Sequence, residues 1–158
     1  MRNTLIAFLL LTSSWPAQGG QQEELWCLTE AIYFEARDQG SRGMVAVGVV
    51  IQNRVKHQSY PSSICEVVRQ GYYFNGNPIR NKCQFSYWCD GKHERPSEKE
   101  AWTDAMYIAE ILMSTKVNII GLEKATHYHG TQVSPGWARD FNRCIQIGEH
   151  VFYSQERN

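Results

Sequence analysis

Leu25-Trp26-Cys27-Leu28-Thr29-Glu30-Ala31-Ile32-Tyr33-Phe34-Glu35-Ala36-Arg37 is the stretch that decides the fold and points to the chemistry. At about 100° per residue, Leu28, Ala31, Ile32 and Glu35 share one stripe and Glu30 falls on the opposite side. The segment therefore predicts a helix with a carboxylate on its apolar face. An ionised carboxylate buried among Leu and Ile is costly unless paired, so such a site favours a raised pKa and a protonated acid near neutral pH. A carboxyl group held protonated is what general-acid catalysis uses. The competing reading is structural, with Glu35 paired to Arg37 or another arginine at a helix end.

Working outward, the segment from Ser41 to His57 is apolar nearly all round, and its length favours a buried helix over a strand. Ser63-x-x-Glu66 reads as a capping box opening a short helix that stops at Gly71, and Ser97-x-x-Glu100 as one opening a longer helix to about Ser114. The longer helix places Trp102, Ala105, Met106, Ala109, Leu112 and Met113 on one side, as a core stripe. Tyr72 to Gly91 carries the Gly, Asn and Pro signals of loops and turns. Ala125 to Gly130 and Cys144 to Ser154 show the short alternating runs of β-strands, interrupted at Gly148. Helices first and a small antiparallel sheet late make a mainly helical α+β domain, with a cleft expected where the sheet meets the first helix.

The chain has 158 residues and zero formal net charge, and no basic tract appears, which argues against nucleic acid as a partner. Arg2, an apolar run from Leu5 to Leu11, and the small residues Ala17 and Gly19 have the layout of a secretory signal peptide over residues 1–19. That leaves residues 20–158 as one domain. The apolar run is shorter than the roughly 20 residues a bilayer span needs, so no stable membrane span is expected unless the leader stays uncleaved as an anchor. Export places five cysteines in an oxidising compartment and favours disulfides. Cys83 with Cys89, closing a short aromatic loop, is the first choice of pairing and Cys27 with Cys65 the second, and the sequence leaves the connectivity open. Cys144 is then left over.

Several words along the chain carry a resemblance. They are Ala31-Ile32-Tyr33-Phe34-Glu35-Ala36-Arg37, Gly43 through Val55 with its Gln52-Asn53-Arg54, Cys83-Gln84-Phe85-Ser86-Tyr87-Trp88-Cys89-Asp90-Gly91, Ala125-Thr126-His127-Tyr128-His129, and Ile147-Gly148-Glu149-His150-Val151-Phe152-Tyr153. In this order, from about Cys27 to Tyr153, the chain resembles the SleB-type cell-wall hydrolases, the family of the spore cortex-lytic enzyme. The resemblance implies a lysozyme-like fold, cleavage of peptidoglycan between N-acetylmuramic acid and N-acetylglucosamine, and Glu35 as the catalytic acid. One departure stands out. The family often continues Glu-Ala-Arg-Gly-Glu, whereas Glu35-Ala36-Arg37 is followed here by Asp38-Gln39-Gly40, which moves the glycine able to take positive φ two places along and rearranges the helix exit.

Glycosidic cleavage ordinarily uses two carboxylates. Beside Glu35 the candidates are Asp38, Asp90, Asp104 and Asp140, of which Asp90 lies inside a matching word. One carboxylate suffices if the 6-hydroxyl of muramic acid is the nucleophile, which gives a 1,6-anhydro end, as in a lytic transglycosylase. Water in that place gives a muramidase. Gln84, Ser86, Tyr128 and His129 are the candidate polar contacts to the sugar. Aromatic rings suit pyranose faces, so Tyr33, Phe85, Tyr87, Trp88, Tyr128 and Trp137 are considered, with Tyr128 and Trp137 favoured and Phe85 less so.

Rival readings exist. His127-x-His129 with His150 and a Glu would permit a zinc amidase or peptidase, although no His-Glu-x-x-His word is present. Cys144 with a His would permit a cysteine peptidase if its thiol were free and of low pKa. A non-catalytic glycan-binding domain is the third. The reading carried forward is a secreted or periplasmic monomer acting on peptidoglycan glycan strands without metal or cofactor.

Overall fold

The computed structural model describes residues 18–93 and 95–155. The expected leader lies almost wholly outside them; Gln18 and Gly19 enter as the first residues of a helix. No helix among the described residues is long and apolar enough to cross a membrane.

Three helices build the core. α1 (Gln18–Ala36) packs against both α2 (Gly40–Lys56) and α4 (Lys99–Ser114), and α2 also meets α4. Leu28, Ala31 and Ile32, the stripe that leads to Glu35, are fully buried. As its composition predicts, α2 is surrounded: Val47, Val50 and Ile51 are fully buried. Its Gly48 permits the close approach of three helices, because a Cβ there would lie 2.3 Å from Leu112 Cδ1 and 3.1 Å from Ile32 Cδ1. Between α1 and α2, Gly40 takes φ +65°, so the displaced glycine does turn the chain.

The short α3 (Ile64–Val68) is capped as expected, with Ser63 Oγ accepting from the Glu66 N–H at 3.3 Å. It is tied to α1 by the Cys27–Cys65 disulfide, and the Glu24 carboxylate of α1 accepts from the Ile64 and Cys65 N–H groups. The second capping box does not form. α4 begins at Lys99 rather than after Ser97, and its cap residue Glu98 makes no side-chain cap bond. The N–H groups of Ser97 and Glu98 donate instead to Tyr33 Oη, both at 3.1 Å, so a long-range partner overrides the local one. Along α4, Ala105, Ala109 and Leu112 are buried as expected and Ile108 joins them; Trp102 and Met113 pack on the edge.

The segment expected as loops holds a β-hairpin, β1 (Gly71–Phe74) with β2 (Asn77–Cys83), followed by a 3-10 turn at Ser86–Cys89. Asn75 and Gly76 close it at φ +50° and +79°. Asn-Gly is a strong hairpin signal, and the structure uses it where the loop reading did not. The Cys83–Cys89 disulfide clamps the base of this hairpin.

The late sheet forms as predicted from three antiparallel strands, β3 (His127–Gly130), β4 (Asn142–Ile147) and β5 (His150–Ser154), in the order β3-β5-β4. Two consecutive side chains of α2, Asn53 and Arg54, fasten this half to the helices, and Gln52 beside them ties α2 to α4. Gln52 donates to the Leu112 carbonyl, Asn53 to those of Leu122 (2.8 Å) and Ala125 (2.9 Å), and Arg54 Nε to that of Thr126 (2.7 Å). β3 is thereby held beside the C-terminal end of α1, and a cleft opens between them.

Candidate active site

Glu35 sits in the last turn of α1, where the helix dipole disfavours a negative charge. Its carboxyl is half-buried, and Tyr128 Oη, from β3, donates to Oε2 at 2.9 Å. Burial raises the Glu35 pKa above its ordinary 4.5, and this outweighs the opposing effects of the Tyr128 hydrogen bond and the Arg54 charge. Tyr128 is itself pushed well above 10 by burial and then by Glu35, so it keeps its proton and remains a donor. The structural alternative for Glu35 is not realised, because Arg37 pairs with Glu98 at 2.8 Å.

Three adjoining recesses meet at Glu35. A central one of about 340 Å³ is walled by Gln84, Phe85 and Ser86 on one side and by His127, Tyr128, His129, Trp137 and His150 on the other, with Arg54 at its back. A second, of about 340 Å³, runs past Tyr87 toward Asp90 and Arg95; a third, of about 450 Å³, runs past Asp38 toward Gln132 and Glu149. The result is a groove with one carboxyl at its middle.

The structure brings Gln84, Phe85, Ser86, Tyr128, His129 and Trp137 together around Glu35. Different devices hold them. The Gln84 N–H donates to the Gln70 carbonyl at 2.8 Å, next to the Cys83–Cys89 bridge. His129 Nδ1 donates to the Gly130 carbonyl at 2.9 Å, which leaves Nε2 to accept from Tyr153 Oη at 3.0 Å. Trp137, on a 3-10 turn (Gly136–Arg139), rests against His127 and His129 with ring centres 5.2 and 5.7 Å apart. Phe85 is 1 % exposed, so it forms the floor beneath the Arg54 guanidinium rather than an open platform.

Other candidates divide. Tyr33 is core, and the Trp88 indole N–H donates to Tyr73 Oη at 3.0 Å under the Arg69 guanidinium. Asp38 and Asp90 line the outer recesses, and Asp90 is engaged by the Lys92 N–H at 2.7 Å. Asp104 and Asp140 line none of the three. In the central recess Glu35 is the only carboxylate among the described residues.

Residues 38–153, well over half of the chain, match the family model described as Cell Wall Hydrolase. The chain belongs to that family. The matched span starts at Asp38, just past Glu35, and so does not include that residue. Among solved structures, this cell-wall hydrolase is similar to the catalytic domain of the Bacillus cereus SleB protein (22 % identity, TM-score 0.60, covering 87 % of this chain and 94 % of that one). It is also similar to the catalytic domain of the germination-specific lytic transglycosylase SleB from Bacillus anthracis (21 % identity, TM-score 0.61, 88 % and 100 % covered). At this identity the likeness establishes a shared fold, and that fold is the lysozyme-like α+β one expected. A search of curated proteins found no match.

Two rival chemistries find little support in this member of the family. Among the described residues no group of three or more His, Cys, Asp or Glu is placed to hold a metal ion, and the His127 and His129 rings both rest against Trp137. Cys144 is unbridged, but burial pushes its thiol pKa up, the opposite of what a nucleophilic cysteine needs.

The residue that sequence reasoning passed over is Arg54. It stood inside a quoted word without a role, yet it is 5 % exposed and faces the central recess. An arginine within the otherwise buried run of α2 was the available signal.

Proposed function

We propose that this protein is an exported enzyme, acting as a single chain, that cleaves the glycan strand of peptidoglycan between N-acetylmuramic acid and N-acetylglucosamine as a lytic transglycosylase. The observation that carries the reading is the half-buried Glu35, its pKa raised by burial, as the sole carboxylate among the described residues of the central recess. The two disulfides fit an oxidising compartment outside the cytoplasm.

Glu35 donates its proton to the glycosidic oxygen as the bond from that oxygen to muramic C1 breaks. The resulting carboxylate steadies the oxocarbenium-like sugar and then takes the proton from the muramic 6-hydroxyl as its oxygen bonds to C1. Glu35 is reprotonated, a 1,6-anhydro end is left, and no water is consumed. Gln84, Ser86 and His129 contact sugar hydroxyl or acetamido groups, and Trp137 packs against a pyranose face. Mass spectrometry of digested sacculi tests the course: 1,6-anhydromuramic ends are expected. Reducing muramic ends would replace the transglycosylase with a muramidase, and released stem peptides would defeat both.

Tyr128 tunes the acid. Its hydrogen bond stabilises the Glu35 carboxylate, so Tyr128→Phe raises the Glu35 pKa further. The alkaline limb of the kcat/KM profile is expected to move to higher pH, and the maximum to fall by about tenfold, because a hydrogen bond to the developing carboxylate is lost. An unmoved limb would show that Tyr128 does not act on Glu35.

A further inference from the structure

Arg54 is a buried cation that makes no ion pair with a described residue, although the Glu35 carboxyl lies near enough to act on its charge. Its Nε donates to the Thr126 carbonyl, and its guanidinium lies 5.3 Å from the ring centres of Tyr60 and Phe85. Its Nη1, however, has no hydrogen-bond partner. The three ion pairs found among the described residues, Arg37–Glu98, Arg69–Glu23 and Lys92–Asp90, do not include it. Leaving a buried charged donor unsatisfied costs more than a typical hydrogen bond returns, so such an atom in a cleft wall points to a ligand that completes it. A second orphan supports this: His150 Nδ1, also buried without a partner, lines the same recess.

We propose that Arg54 is a substrate-binding residue whose Nη1–H donates to a carbonyl or carboxylate oxygen carried by the muramic acid unit in the central recess. The assignment rests on the glycan reading of the cleft. Two groups on that sugar offer the required chemistry, the 2-acetamido carbonyl and the carboxyl group of the 3-lactyl ether. Arginine suits the task because its planar fork holds Thr126 with one nitrogen and presents another to the ligand. A lysine keeps the charge but has one head group for two acceptors in different directions.

Calorimetric titration tests this with the non-cleaving Glu35→Gln protein and its Glu35→Gln/Arg54→Lys counterpart, each against chitohexaose and against peptidoglycan glycan strands stripped of stem peptides. Arg54→Lys is expected to weaken binding by about tenfold to a hundredfold, the range for a hydrogen bond to a charged group. Weakening with both glycans identifies the acetamido carbonyl, and weakening confined to the muramic-acid strands identifies the lactyl group. Equal affinities for the two proteins overturn the proposal while leaving the cleft assignment standing. Failure of Glu35→Gln itself to bind either glycan defeats both. Should Arg54→Lys not fold, the guanidinium nitrogen resonances of Arg54 in Glu35→Gln serve instead: they are expected to shift on adding stripped glycan strands, and unmoved resonances overturn the assignment.

Discussion

Glu35→Gln is expected to lower glycan cleavage by about 10²- to 10⁴-fold, the range a positioned general acid and base contributes, while the fold and glycan binding survive. Gln is nearly isosteric and its amide oxygen still accepts from Tyr128, so the groove keeps its shape. It has no proton to give to the glycosidic oxygen and no base to receive one afterwards. Product release from sacculi measures the effect, and a variant retaining most of the activity would remove Glu35 from the mechanism. The same substitution reports on the burial behind the chemistry. Because the folded-state pKa of Glu35 is raised, its favourable contribution to stability is complete below the ordinary value of 4.5 and is lost as pH climbs through the folded value. Wild type should therefore lose thermal stability relative to Glu35→Gln as pH rises from about 4.5, with the gap levelling off above the Glu35 pKa. Parallel curves across that range would mean that the carboxyl is as well solvated folded as unfolded.

Removing the Cys27–Cys65 bridge should have the largest effect on stability. It closes a loop with a sequence separation of 38 and joins the first long helix to α3, whose five residues could not hold a helix alone. The loop-entropy relation gives about 4 kcal/mol for a closure of that length. Cys27→Ala/Cys65→Ala is therefore expected to lower Tm by roughly 10 °C, read by thermal or denaturant unfolding. Alanine is the better replacement because both sulfurs are buried and a serine hydroxyl would add a desolvation cost. Cys83–Cys89, with a separation of only 6, should matter less for unfolding, at about 2 kcal/mol, and more for activity, since it clamps the wall that carries Gln84, Phe85 and Ser86. An unchanged Tm for the Cys27/Cys65 variant would show that α3 is held by its other contacts, such as the Glu24 carboxylate at its first turn.

How much of this was legible depends on how far each interaction reaches along the chain. The 3.6-residue period of Leu28, Ala31, Ile32 and Glu35 is a local property, and the structure puts the first three in the core and Glu35 at the cleft. The β1–β2 hairpin was read as loops because it is largely exposed, so its side chains show no inside–outside alternation; only Asn75-Gly76 marked it. Ser97-x-x-Glu100 has the form of a capping box, yet Tyr33, 64 positions earlier, takes the Ser97 N–H. Arg54 could not be assigned from its neighbours in sequence, because its Thr126 acceptor lies 72 residues away and its aromatic partners come from two other segments.

By itself the sequence determined the helical half, the late sheet and the carboxyl at the end of the first helix, since these follow from periodicity, turn residues and short-range chemistry, while the cysteine pairing was left for the structure to settle. Only the tertiary structure decided that Tyr128 would reach Glu35, that Arg37 would be drawn off by Glu98, and that Arg54 would be buried with a donor to spare. Those outcomes are set by which distant surfaces meet and what each partner leaves unsatisfied, and no local pattern encodes that.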